Sequence, residues 1–302
     1  MPQMSVNLSG IEWKNPVATA SGTFGFGREF AEIFDLGALG AVTVKGVSAK
    51  PWPGNRPPRV AETHGGMLNA IGLQNPGVDA FIRDDLPFLR GFDTKIIVNV
   101  CGHSADEYVA VTHRLAAARV DMLELNISCP NIAEGGIAFG TDAKLVYDLV
   151  RRCKDAARQP LYVKLSPNVT DIAEIARAAE AAGADGLTLI NTLIGMKIDI
   201  EQKKPLLANK TGGLSGPAIM PVAVRAVYQV YGAVKIPIIG MGGISNGEDA
   251  VQFLLAGARA VAVGTANLIK PTAALDVISG IGIYLERHGC HDINEIIGLA
   301  HE

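Results

Sequence analysis

Eight short runs rich in Val, Ile and Leu recur along this chain, at 16–20, 41–45, 95–100, 121–127, 161–165, 186–191, 236–240 and 260–264. Between them lie stretches with helical periodicity, among them 142–157, 171–182, 218–231 and 247–256, several opening on Pro or Asp. Strands that are apolar along their whole length, alternating with amphipathic helices, are the signature of a parallel sheet buried on both faces. Eight strand–helix units close such a sheet on itself, so the expected fold is α/β, a (β/α)8 TIM barrel. A length of 302 residues at 48% hydrophobic content suits one large barrel core or two ordinary domains. The 34 glycines and an aromatic content of only 6% favour the barrel, with its many tight turns and small aliphatic side chains, as a single domain over 1–302.

An open doubly wound sheet is the competing architecture. It would want a dinucleotide turn after the first strand, and Ser21-Gly22-Thr23-Phe24-Gly25-Phe26-Gly27 superficially offers one. The glycine order is wrong for that fingerprint, and no acidic residue closes the next strand to hold a ribose. Two connections, 46–76 and 192–216, are long for a plain barrel. Structureless loops of that size are usually lids or binding loops, and both follow strand C-termini, where barrel enzymes carry their active sites. At the other end, 5–13 with a Ser9-Gly10 turn reads as an N-terminal hairpin plugging the barrel floor.

The 27 basic and 30 acidic residues are scattered without runs, giving a net charge of −3, which disfavours a nucleic-acid partner. The N-terminus has neither the basic segment nor the apolar run of a signal peptide, and no apolar run reaches about 18 residues. The expectation is a cytoplasmic protein without a membrane segment. Cys101, Cys129, Cys153 and Cys290 form no C-x-x-C pair and no zinc-ligand spacing, so neither a metal site nor an iron–sulfur cluster is expected within the chain.

Polar residues gather where the strands should end: Ser21, Lys45, Asn99, Asn126 with Cys129, Lys164, and Asn191. In an aliphatic barrel interior a lysine or asparagine is costly unless partnered, and a ligand is the natural partner for so many. Ile238-Ile239-Gly240-Met241-Gly242-Gly243-Ile244, followed by Ala260-Val261-Ala262-Val263-Gly264-Thr265, lets backbone N–H groups close on a phosphate. The same glycines would also serve tight turns alone. Lys45 and Lys164 could stabilise a reduced flavin ring, or could simply pair with a carboxylate at the mouth. In Glu124-Leu125-Asn126-Ile127-Ser128-Cys129-Pro130-Asn131 a thiol follows the fourth strand, and Pro130 keeps it out of a helix. A lone cysteine is commonly a small buried hydrophobe. The polar setting of Cys129 points instead to chemistry, whereas Cys101 and Cys153 read as structural.

At these residues the chain resembles the class 1 dihydroorotate dehydrogenases, and among them the class 1B catalytic subunit more than the homodimeric, fumarate-linked class 1A. The resemblance runs through Asn15-Pro16 to Ala20-Ser21-Gly22, Thr43-Val44-Lys45-Gly46, Gly54-Asn55-Arg56-Pro57-Pro58-Arg59 and Asn69-Ala70-Ile71-Gly72-Leu73-Gln74-Asn75-Pro76-Gly77. It continues through Asn126 to Asn131, Gly135-Gly136-Ile137-Ala138-Phe139-Gly140, Val163-Lys164-Leu165-Ser166-Pro167-Asn168, Gly213-Leu214-Ser215-Gly216-Pro217 and the Gly240 glycine run. It implies oxidation of dihydroorotate to orotate in pyrimidine biosynthesis, with one FMN per chain. The implied FMN contacts are Ser21, Lys45, Gly46, Asn99, Asn126, Lys164, Ile190, Gly216, Gly242, Gly243, Gly264 and Thr265. The implied substrate contacts are Lys45, Asn69, Ala70, Ile71, Gly72, Leu73, Asn126, Asn191 and Thr192, and the implied catalytic base is Cys129. Asparagine amides offer both donors and acceptors, as a pyrimidine edge and a carboxylate require. A thiol of ordinary pKa about 8.5 needs activation, or alkaline pH, to serve as a base.

The same resemblance implies a homodimeric core and an electron-transfer subunit carrying FAD and a [2Fe–2S] cluster, through which electrons reach NAD+, in a heterotetramer of two catalytic and two electron-transfer chains. Competing readings are a dihydropyrimidine dehydrogenase-like FMN barrel and a tRNA dihydrouridine synthase, the latter disfavoured by the lack of basic charge. A flavin-free phosphate-binding isomerase or lyase explains the glycines but leaves the lysines and asparagines without a shared task. A non-catalytic small-molecule binder would need an inert Cys129.

Overall fold

The computed structural model of the chain describes residues 2–127 and 139–302. Eight parallel strands close into a barrel, each at one of the apolar runs: β1 Val17–Thr19, β2 Ala41–Thr43, β3 Lys95–Val100, β4 Met122–Asn126, β5 Leu161–Lys164, β6 Gly186–Leu189, β7 Ile238–Met241 and β8 Ala260–Val263. Each pairs with its sequence neighbours, and β8 returns to β1. Burial of both faces explains the unbroken apolar runs, since one face of a strand fills the barrel and the other meets a helix.

The helices obey the same logic. Ala143–Ala156 buries Val146, Leu149, Val150 and Cys153, and Ile172–Ala181 buries Ile172, Ile175, Ala176 and Ala179. That three- and four-residue spacing is one helix face. Each is started by an aspartate outside the helix: Asp142 accepts from the N–H groups of Lys144 and Leu145, and Asp171 from those of Ala173 and Glu174. Such a cap contributes about 1 kcal/mol. Burial pushes the Cys153 thiol up to about 11, with a Thr112 hydrogen bond opposing, which suits an inert core residue.

The expected hairpin is present. Val6–Leu8 and Ile11–Trp13 pair antiparallel across Ser9 and Gly10, both at positive φ, as a two-residue hairpin turn requires. Ser9 Oγ donates to the carbonyl of Asp185 at 2.7 Å and lies 3.0 Å from the Tyr162 hydroxyl. Both partners sit at the starts of strands, so the hairpin tip covers the N-terminal end of the barrel.

At the opposite end the expectation of structureless loops is corrected. The two long connections contribute strands to one antiparallel sheet, in the order Leu193–Met196, Thr211–Ser215, Gly66–Asn69, Val60–Thr63. Asn69 stands opposite both Gly213 and Val60 in its register. Among the described residues no helix is long and apolar enough to cross a membrane.

Candidate active site

A cavity of about 740 Å³ opens at the C-terminal mouth of the barrel, beneath that sheet. Its wall is assembled strand by strand. Ser21 follows β1, Lys45 and Gly46 follow β2, Asn99 lies in β3, Asn126 ends β4 and Lys164 ends β5. Ile190, Asn191 and Thr192 follow β6, Gly242 and Gly243 follow β7, and Gly264 and Thr265 follow β8. The sheet adds Asn69, the succeeding Ala70, Ile71, Gly72 and Leu73, and Gly216 just beyond its Thr211–Ser215 strand. Every residue expected at the site from sequence therefore faces one cavity, save Cys129, which lies outside the described residues.

Parallel register sets the polar layer at the floor. Asn126 pairs with Lys164 across β4 and β5, and Lys164 with Thr188 across β5 and β6. Lys164 is 4% exposed, and its ammonium donates to Ser21 Oγ at 3.1 Å. Since β5 and β1 stand on opposite sides of an eight-stranded barrel, this lysine reaches across the axis and puts a cation at the centre of the floor. Beside it, Glu124 Oε1 accepts from Asn99 Nδ2 at 2.6 Å, and Asn99 Oδ1 accepts from Asn126 Nδ2 at 3.3 Å. The Asn126 carbonyl is held from outside by the Tyr108 hydroxyl at 2.6 Å.

Lys45 is the second cation. Burial lowers its pKa below the ordinary lysine value; Cys101 opposes that shift and Arg59 adds to it. An anion beside Lys45 would reverse the penalty. Cys101, which reads as structural from the sequence, thus lies close enough to a site lysine to oppose the effect of its burial.

The glycines divide into two kinds. Gly216 has φ +101°, and a Cβ there would stand 2.7 Å from the Gly66 Cα, so turn and packing alone demand glycine. Gly264 is not at positive φ, and its Cβ would approach nothing nearer than the Ala20 Cβ at 3.3 Å. Gly264 lines the cavity, and a Cβ there would press on Ala20 and touch Thr23, both also in the cavity wall. Next to it, the Thr265 and Ser215 hydroxyls lie 2.8 Å apart, tying the end of β8 to the overlying sheet. Close-approach backbone at one side, two cations and a row of amides at the floor fit a phosphorylated, flat, hydrogen-bonding cofactor of the FMN kind. Among the described residues no cluster of three or more His, Cys, Asp or Glu could hold a metal ion.

Several lining or supporting residues were not singled out individually from the sequence. Asn168 donates to the Thr192 carbonyl at 2.9 Å and to Ser166 Oγ at 3.1 Å, while its Oδ1 accepts from the Ile194 N–H at 2.9 Å. It thereby fixes the segment after β6 that bears Asn191 and Thr192. The available signal was the pair of polar residues Ser166 and Asn168, two and four positions after Lys164. Glu124 carried a plainer one, a carboxylate in the middle of an apolar strand.

Comparison with known proteins adds an independent line. The dihydroorotate dehydrogenase family model matches residues 3–285. A protein of Lachnoclostridium phytofermentans named dihydroorotate dehydrogenase B (NAD(+)), catalytic subunit, is 62% identical over 296 residues, covering 98% of this chain and 99% of its own. A Bacillus pumilus protein of the same name is 56% identical over 298 residues, covering 98% and 96%. Among solved structures, DHODH of Eimeria tenella in complex with ferulenol superposes with a TM-score of 0.84 at 25% identity, covering 100% of this chain and 89% of that one.

Proposed function

The chain belongs to the dihydroorotate dehydrogenase family, and from that premise we propose that the cavity is where it oxidises dihydroorotate to orotate, the NAD+-linked step of pyrimidine biosynthesis. The observation that carries this reading is the convergence of Lys45, Lys164, Asn69, Asn99, Asn126 and Asn191 on one cavity at the barrel mouth. No structural demand of a barrel explains two lysines and four amides there.

The reaction removes a proton from C5 and a hydride from C6 of the dihydropyrimidine. When bound, FMN supplies the hydride acceptor. Lys164 and Lys45 hold positive charge where negative charge gathers, and Ser21 steadies the Lys164 ammonium. The amides of Asn69, Asn126 and Asn191, together with Thr192, offer donors and acceptors to the pyrimidine edge and its carboxylate. Gly264, with Thr265 beside it, leaves room for the phosphate. Cys129, three residues beyond Asn126 in sequence, would act as the general base that takes the C5 proton. Electrons leave for NAD+ through a partner subunit carrying FAD and a [2Fe–2S] cluster, in an assembly of two catalytic and two electron-transfer chains. The name "catalytic subunit" borne by the relatives supports the existence of such a partner.

The purified chain is expected to show a flavin band that bleaches on anaerobic addition of dihydroorotate. A band that persists with dihydroorotate but bleaches with a dihydropyrimidine lacking the carboxylate would transfer the substrate to the dihydropyrimidine class. Absence of any flavin after reconstitution with FMN would remove the redox reading altogether.

A further inference from the structure

Glu124 is 2% exposed, sits midway along β4 beneath the cavity, and has no role in the reaction described above. It is absent from the cavity wall, so it touches neither cofactor nor substrate. Its neighbour in the adjacent strand register is Asn99, whose Nδ2 donates to Glu124 Oε1 at 2.6 Å. A carboxylate accepts and cannot donate unless protonated, whereas an amide can present either end. The contact therefore admits one Asn99 orientation, amino group down toward Glu124 and oxygen turned away. That oxygen receives Asn126 Nδ2 at 3.3 Å, which in turn fixes the sense of the Asn126 amide. The Asn126 main chain is independently pinned by Tyr108, so what Glu124 governs is the side-chain amide.

We propose that Glu124 is a positioning residue, setting through Asn99 the direction in which the Asn126 amide meets the bound pyrimidine. This rests on the reading of Asn126 as a substrate contact given above. The donor–acceptor sense of Asn126 is chosen by a buried charge one amide away, and a chain of hydrogen bonds in a low-dielectric interior keeps that choice rigid. A glutamine at 124 offers either end to Asn99, so the Asn99 and Asn126 amides can flip together with the two hydrogen bonds that link 124, 99 and 126 kept, and the charge that selected one sense of Asn126 is gone.

The test uses the FMN-loaded chain and reads orotate binding by the shift it produces in the flavin spectrum, with steady-state kinetics on dihydroorotate. Glu124→Gln is expected to retain flavin and melting temperature while weakening orotate about tenfold, the scale of one lost hydrogen bond, and raising KM more than it lowers kcat. The double variant Glu124→Gln with Asn99→Asp restores a single sense: the introduced amide donates to the introduced carboxylate, and that carboxylate accepts from Asn126. Because Asn99 is also assigned to FMN, the double variant is expected to hold the flavin more weakly, but once loaded with FMN to bind orotate more tightly than Glu124→Gln alone, an outcome that general loosening of the core would not produce. Should the single variant not fold, a folded double variant with wild-type-like orotate affinity supports the proposal, and one that binds orotate as poorly as Asn126→Ala overturns it. Asn126→Ala run in parallel separates the two levels. If Asn126→Ala weakens orotate and Glu124→Gln does not, the Glu124 proposal is wrong and the site reading stands; if Asn126→Ala leaves orotate binding unchanged, the site reading fails first and this proposal falls with it.

Discussion

A single thiol and a single ammonium carry the sharpest consequences at the scale of residues. Removing the proposed base by Cys129→Ala should leave the flavin bound, because Cys129 is not among the groups assigned to the cofactor. Reduction by dihydroorotate should then slow by about 10²–10⁴-fold, the usual contribution of general-base catalysis, as followed by stopped-flow bleaching of the flavin band. Bleaching at the wild-type rate would take Cys129 out of the mechanism. For Lys45 the sign follows from burial, the largest influence on it, which lowers its folded pKa below the unfolded value of 10.5. Between the two values the unfolded chain holds a proton that the folded chain does not, so ligand-free stability is lowest below the folded pKa and rises with pH through that window. An anionic ligand beside the ammonium pulls the pKa back up and takes up a proton on binding. Orotate affinity should accordingly fall as pH rises through the lowered pKa in the wild type, and stay flat over the same range in Lys45→Arg, whose charge does not titrate there. Parallel profiles for the two proteins would place the titrating group elsewhere. Residues of this kind were legible in the sequence because each interrupts or ends an apolar run where nothing apolar is missing. Asn168 was less legible, since a polar residue in a loop is unremarkable until its two hydrogen bonds to the neighbouring segment, to the Thr192 carbonyl and from the Ile194 N–H, are seen.

At the scale of elements, all eight barrel strands were visible as apolar runs because burial on both faces leaves a signal independent of any partner's identity. The sheet over the mouth was not. Its strand Thr211–Ser215 reads Thr-Gly-Gly-Leu-Ser, with poor intrinsic strand preference, and it is a strand because Asn69 and its neighbours pair with it from 144 positions away in the chain. That pairing brings two distant connections together over one cavity, so elements that looked like separate lids act as one roof. Its attachment gives a paired prediction. Gly216→Ala puts a side chain at φ +101° against the Gly66 backbone, where both strain and overlap oppose it. It should cost about 1–3 kcal/mol of stability, seen as a lowered Tm with or without cofactor. Gly264→Ala has no positive φ to oppose it and one tight neighbour, the Ala20 Cβ at 3.3 Å, which must give by a few tenths of an ångström, so it should lower the Tm of the flavin-free chain less than Gly216→Ala does, yet bind FMN more weakly in a fluorescence titration. Equal FMN affinity in Gly264→Ala and wild type would mean that this glycine makes no room for the phosphate.

On the scale of the whole molecule, the barrel divides its labour between two ends. The N-terminal end is covered by the Ser9 hairpin, with its hydroxyl bonded to the Asp185 carbonyl, and no hairpin residue is among the described residues that line the cavity. The C-terminal end gathers the cations, the amides and the roof. The proposed function assigns the FAD and [2Fe–2S] relay to a partner subunit, in keeping with four cysteines that lack cluster spacing. On that proposal, oxidation of the pyrimidine and delivery of its electrons to NAD+ are separable. The chain alone should complete the first half, bleaching once with dihydroorotate, and NAD+ should reoxidise it slowly. Addition of a partner subunit bearing FAD and a [2Fe–2S] cluster should restore rapid turnover, measured as anaerobic NADH formation. Rapid reoxidation of the isolated chain by NAD+ would remove the need for that relay. Rapid reoxidation by fumarate, with no gain from the partner, would move the chain toward the homodimeric, fumarate-linked branch of its family, and would require the surface through which electrons leave to lie within the catalytic chain itself.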